Sequence, residues 1–243
     1  MIDVILTTYN RLPLLKRTVD SLVKNTTDFR LFINDDCSED DTRDYLLKLE
    51  AREIAKIILN GQRKGVVPGF NALWEMVEHS DSEYVCYLQD DMLVNSYGWL
   101  DVLTGIHKEI SGTLSVGFAS GYDAREHPEI TRIQWAGREV LFKNSTSATN
   151  LIATKHFWRS LGLPIPLLNP NGRLRGFPND GHGSNIDVYL TGCISMSRVS
   201  RRDSSPTSSY KQGKVVMVIP GLLEHLGAAR QFSSWRQNRA SGF

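Results

Sequence analysis

Apolar residues fall into two rhythms along the first part of the chain. Short, mainly apolar runs, Ile2 to Leu6, Leu31 to Ile33, Ile54 to Leu59 and Tyr84 to Leu88, are rich in β-branched and aromatic side chains and predict buried strands. Between them hydrophobics recur at helical spacing: Leu15, Val19, Leu22 and Val23, then Leu73, Trp74 and Val77, then Trp99, Leu103, Ile106 and Ile110. Pro13 suits the first turn of the first helix. Ser38 with Asp41 three residues on resembles a second helix start, and Ser96 is a candidate cap for the helix that contains Trp99. Strand, polar loop and helix in alternation predict βαβ units on a mostly parallel sheet.

The rhythm changes near residue 112. Leu114 to Ala119, Ile133 to Trp135, Glu139 to Phe142 and Leu151 to Ala153 predict the shorter strands of a smaller mixed sheet, and Val215 to Ile219 a last strand before P-G-L-L-E-H-L-G. Pro164 to Gly183 holds four prolines and four glycines, which predicts a long loop with a functional part to play. Arg198 to Lys214, rich in serine and basic residues, is either a mobile lid or a surface loop. No internal repeat is present.

Composition narrows the class of partner. A chain of 243 residues with 41% hydrophobic content buries one good core, so a single domain over 1–243 is expected. A formal charge of +1 and a pI near 7.7 supply no global field for nucleic acid, and no basic tract offers a hold on anionic lipid. Cys37, Cys86 and Cys193 lie far apart without C-x-x-C spacing, which argues against a zinc site or a disulfide framework and favours a reducing cytoplasm. The amino terminus enters a strand directly, without the pattern of a secretory signal, and no run approaches membrane-spanning length. A small or locally recognised ligand is the expectation.

Chemistry concentrates where the strands end. The fourth strand stops at Q-D-D-M, so Asp90 and Asp91 fall at its carboxyl end, where parallel sheets present their ligand sites. One carboxylate there suits a hard cation, and its neighbour, directed to the other side of the backbone, suits a sugar hydroxyl. The other three loops read T-T-Y-N-R, D-D-C-S and N-G-Q-R-K-G, with Asn71 six residues after Gly65.

Four such loops in this order resemble the nucleotide-sugar half of an A-type-fold glycosyltransferase, most closely the inverting family two. The resemblance covers residues 1 to 110 well and the rest loosely. It implies a Rossmann-like fold with the nucleotide sugar bound by 1–111 and the acceptor by 112–243. Transfer from a nucleoside diphosphate sugar to a glycan or glycolipid acceptor, with Mn²⁺ or Mg²⁺ as cofactor, is implied with it. Thr7, Tyr9, Arg11 and Asp36 would hold the nucleoside, Tyr9 by its aromatic face and Asp36 by accepting from a base N–H. Asp91 would bind the metal and Asp90 the ribose, while His225 in E-H-L-G resembles a late histidine that reaches metal or diphosphate.

Two departures from the family pattern bear on chemistry. Gln89 replaces the first acid of the usual D-x-D. Ser184 and Asn185 stand where the family carries the Glu-Asp pair that supplies the base, leaving Asp187, Asp180 or, more weakly, His182 for that role. A nucleotidyltransferase is a rival reading, although T-T-Y-N-R is not the glycine-rich phosphate loop expected of one. A sugar-nucleotide or glycan-binding module that has lost catalysis is the other.

Overall fold

The computed structural model describes residues 1–114, 116–122, 129–143, 149–165, 214–219 and 221–226. Its first half repeats strand, loop and helix: β1 (Ile2–Thr8), α1 (Leu12–Asn25), β2 (Phe29–Asp35), α2 (Thr42–Ala51), β3 (Ala55–Leu59), α3 (Val66–Val77) and β4 (Tyr84–Gln89). A short strand β5 (Met92–Val94) and helix α4 (Trp99–Leu114) follow, then β6 (Val116–Ser120), β7 (Glu129–Trp135), β8 (Arg138–Lys143), β9 (Asn150–Thr154), α5 (Lys155–Ser160), β10 (Lys214–Ile219) and β11 (Leu223–His225).

Nine strands form one sheet in the order β3-β2-β1-β4-β9-β6-β10-β8-β7. β1 to β4 are mutually parallel, and β6 and β10 pair in parallel beyond them. The antiparallel strands β9 and β8 interrupt the pattern. The α/β class therefore holds, but the expected smaller mixed sheet is a continuation of the main one, because β9 pairs directly with β4. Among the described residues a separate two-stranded ribbon pairs β5 with β11.

Each face of the sheet is covered by a hydrophobic cluster. Leu15, Val19 and Leu22 of α1 pack with Trp99, Leu103 and Ile106 of α4 on one side, and Phe70, Leu73 and Trp74 of α3 pack with Trp158 of α5 on the other. Val23, expected on the buried stripe of α1, is instead exposed. Ser38 does not cap α2, which starts at Thr42, because its hydroxyl is committed to Asp35. Likewise α4 begins at Trp99 rather than at Ser96, and the expected strand from Leu114 divides into the end of α4 and β6.

At the amino-terminal edge a buried polar network ties the halves together. Asp3, fully buried on β1, takes Arg30 Nε at 2.7 Å and the hydroxyls of Ser80 and Ser82. Lys155 of α5 donates to the Ser80 carbonyl at 2.7 Å, with Nζ 3.8 Å from Asp3. Burial alone would penalise these charges, and the pairing is what makes their position tolerable. No helix among the described residues is long and apolar enough to cross a membrane.

Candidate active site

The parallel strands β1, β2, β3 and β4 deliver their carboxyl ends to one edge, and the four loops meet there. Thr8, the last residue of β1, links two of them. Its carbonyl accepts from the Asp36 amide at 2.9 Å, and its hydroxyl donates to Asp90 Oδ2 at 2.8 Å. The first two loops are also latched directly. The Asn10 amide donates to Ser38 Oγ at 2.9 Å, and the Glu39 amide to Asn10 Oδ1 at 2.7 Å. Asn10 and Cys37 both adopt positive φ, 50° and 67°, so each loop turns sharply at the latch.

Asp36 organises the third loop. Its carboxylate accepts from the amides of Lys64 at 2.7 Å and Gly65 at 2.8 Å, and from Asn60 Nδ2 at 3.2 Å. It thereby holds the two amides that lead into α3, close to a helix start where a negative charge is favoured. Gly65 has φ 93°, a conformation that a side chain would strain. Gly69 lets α3 approach the strand ends, since a Cβ there would lie 2.5 Å from Asn34 Oδ1. Tyr9 is partly buried, with the Arg63 guanidinium over its ring at 4.3 Å, and Thr7 Oγ1 lies 3.3 Å from the Tyr87 hydroxyl.

Asp90 and Asp91 are both buried, and Arg11 bridges them. Nη1 donates to Asp90 Oδ1 at 2.9 Å and Nη2 to Asp91 Oδ2 at 2.7 Å. Thr18 of α1 holds the Asp90 carbonyl at 2.9 Å. Burial pushes the Asp90 carboxyl up to about 6; Arg11 opposes the shift and the Asp91 charge adds to it. Burial pulls the other way on Arg11, but the two carboxylates hold its guanidinium above the usual arginine value.

His225 reaches this cluster through the β5–β11 ribbon. Pairing of His225 with Met92 and a 2.8 Å bond from the Leu226 amide to the Asp91 carbonyl set its Nε2 3.4 Å from Asp91 Oδ1. That oxygen is buried and accepts no hydrogen bond. A buried carboxylate oxygen without a donor is costly unless a cation completes it. Adjacent corners of an octahedron with ligands at about 2.1 Å lie about 3.0 Å apart, so Asp91 and His225 fit a shared divalent ion. Among the described residues no group of three or more His, Cys, Asp or Glu gathers for a metal, so an ion held by Asp91 and His225 would draw its other ligands from outside these side chains.

Seven expected site residues, Thr7, Tyr9, Arg11, Asp36, Asp90, Asp91 and His225, lie in or beside these loops. Asp180, His182 and Asp187 fall outside the described residues. Thr8 and Asn10 fall within the stretch 7–11 expected to meet the nucleoside, but their links between loops were not foreseen. Ser38, Asn60 and Arg63 stand in or beside the quoted loops and were given no part in the site.

Solved structures share this architecture. The Staphylococcus aureus TarS fragment 1-349 superposes with a TM-score of 0.51 at 16% identity, covering 70% of this chain and 52% of that one. Its complex with UDP-GlcNAc gives 0.51 at 17% identity over 78% of this chain and 53% of that one. GalNAc-T7 with UDP, GalNAc and Mn²⁺ gives 0.59 at 14% identity over 93% of this chain and 43% of that one. The chain thus spans about half the length of the TarS fragment. No curated protein matches its sequence. Residues 3–158, more than half of the chain, match the model of glycosyl transferase family 2, and the chain belongs to that family.

Proposed function

We propose that this chain is a metal-dependent, inverting glycosyltransferase that moves a sugar from a nucleoside diphosphate sugar to a hydroxyl of a glycan or glycolipid acceptor. The observation that carries the metal-dependent reading is the buried Asp91 Oδ1 at the strand ends, which accepts no hydrogen bond from the described residues and faces His225 Nε2 at 3.4 Å. UDP and UDP-GlcNAc, named with the TarS structures, and Mn²⁺, named with GalNAc-T7, are the first ligands to try.

In this reading Tyr9 stacks on the nucleobase, exchanging its contact with Arg63, and Thr7 bonds the base edge. Asp36 has its own loop to hold, so it meets a base N–H only through its remaining acceptor capacity. Asp90 lies behind Arg11 and meets a ribose hydroxyl once that guanidinium shifts. Asp91 and His225 would hold a divalent cation, which when bound would supply positive charge against the departing diphosphate. Asp187, or Asp180 in its place, takes the acceptor proton as the oxygen attacks the anomeric carbon opposite the leaving group.

The test is transfer of radiolabelled sugar with Mn²⁺, in chelator, and with Asp91→Asn and His225→Ala. Chelator should abolish turnover, and both variants should bind metal more weakly; full turnover in chelator would remove the metal role. Loss of a true base lowers the chemical step by about 10² to 10⁴ while donor affinity stays, which separates Asp187→Asn from Asp180→Asn. The altered pair Ser184 and Asn185 motivates one other reading. A wild type that binds nucleotide but transfers nothing would favour a binding module.

A further inference from the structure

Arg11 closes the acid pair off from solvent. The Asp90 and Asp91 side chains are 6% and 3% exposed, whereas that of Arg11 is 43% exposed and lies across both. Its backbone is fixed as the residue that opens α1, with its carbonyl accepting from the Leu14 and Leu15 amides at 3.0 Å. Only the flexible side chain is left to move.

Charge counting shows what this arrangement does to a metal. Two carboxylates and one guanidinium carry a net −1, and a divalent ion at Asp91 Oδ1 turns this to +1. The added ion would also share the Asp91 carboxylate with a guanidinium nitrogen 2.7 Å from its other oxygen. In a buried setting two cations on one carboxylate repel strongly. A diphosphate reverses the balance, because it adds at least two negative charges and offers the planar guanidinium a pair of acceptor oxygens.

From this we infer that Arg11 is a resident counter-cation that makes divalent metal binding conditional on the nucleoside diphosphate. The nucleotide draws the guanidinium off Asp91, the freed carboxylate accepts the ion, and by linkage each ligand strengthens the other equally. The inference rests on the metal site proposed above, and concerns only what Arg11 does to it.

Free Mn²⁺, followed by its electron paramagnetic resonance signal at pH 8 and corrected by a protein-free titration for the ion that UDP itself chelates, tests this without any turnover. Wild type should bind Mn²⁺ weakly alone and on the order of 10- to 100-fold more tightly with saturating UDP, within the usual range of coupling. Arg11→Met should bind Mn²⁺ alone at least about tenfold more tightly than wild type and gain little from UDP. Arg11→Lys keeps the charge but cannot bridge both acids, so it should fall between; it also carries the test if the methionine variant does not melt as a folded protein. If wild type gains from UDP while neither variant binds Mn²⁺ alone more tightly, Arg11 is not the counter-cation, although the metal site stands. If wild type binds Mn²⁺ alone as tightly as with UDP, the conditionality is wrong. Failure to bind Mn²⁺ under either condition would sink the metal site and this inference together.

Discussion

Replacing Asp90 by Asn should make the protein more stable at neutral pH in chelator, and the gain should grow as pH rises. Asp90 is 4% exposed, and its carboxyl is raised from the ordinary 3.8 to about 6. The folded state therefore holds the proton more tightly than the unfolded chain. Stability from this group is full below about pH 4 and is lost as pH rises through 6. The difference of about 2.2 pH units corresponds to about 3 kcal/mol, of which about 2 kcal/mol falls between pH 4.5 and 7.5. Asn carries no titrating proton, so the variant lacks this loss; its single oxygen accepts from Arg11, and its amide nitrogen donates to a Thr8 hydroxyl turned to accept. For a chain of this length the gap between the two melting curves should widen by about 4–8 °C across that interval. Thermal unfolding of both proteins at four or five pH values, in chelator, measures it. Parallel pH profiles would mean that Arg11 and Thr8 fully offset the burial of the charge, and the desolvation argument would be wrong.

Two further outcomes follow from other contacts. Gly69→Ala places a Cβ 2.5 Å from Asn34 Oδ1, so the buried Asn34 amide must turn from Asn60 or α3 must shift; about 1–3 kcal/mol should be lost in urea unfolding. Lys155→Met removes the ammonium that bonds the Ser80 carbonyl and faces Asp3; with Arg30 and the serines still on Asp3, a loss on the order of 2–3 kcal/mol is expected in the same assay.

The first half of the chain was legible because each of its elements is specified locally. Ile2 to Leu6, Leu31 to Ile33 and Tyr84 to Leu88 are buried on both sides of a sheet and read as apolar runs broken only at Asp3, and the helices between them carry one apolar stripe. Beyond residue 112 the periodicity gives strands but not their partners. β9 enters the main sheet antiparallel to β4 over Tyr84–Thr154 to Leu88–Asn150, a pairing across more than sixty residues that no local pattern announces. The expectation of a second mixed sheet failed for that reason.

At the site the same division runs between residue identity and residue use. The acids and Arg11 stood out as chemical types at strand ends, but their commitments are long-range. Asp36 holds Lys64 and Gly65, Arg11 spans residues 79 and 80 positions away, and His225 arrives on a three-residue strand too short to predict. Asn71 shows the consequence most clearly. It stood out only by its spacing from Gly65, yet in the fold its side-chain amide donates to the Ile165 carbonyl and accepts from the Ile165 amide, both at 2.8 Å. A side chain that pairs with a backbone in both directions acts like one rung of a sheet, so Asn71 joins α3, whose first turn borders the strand-end loops, to the stretch after α5. No substitution can keep both bonds unless it supplies a donor and an acceptor at the same reach. The constraint on position 71 is therefore geometric, imposed by a residue 94 positions away.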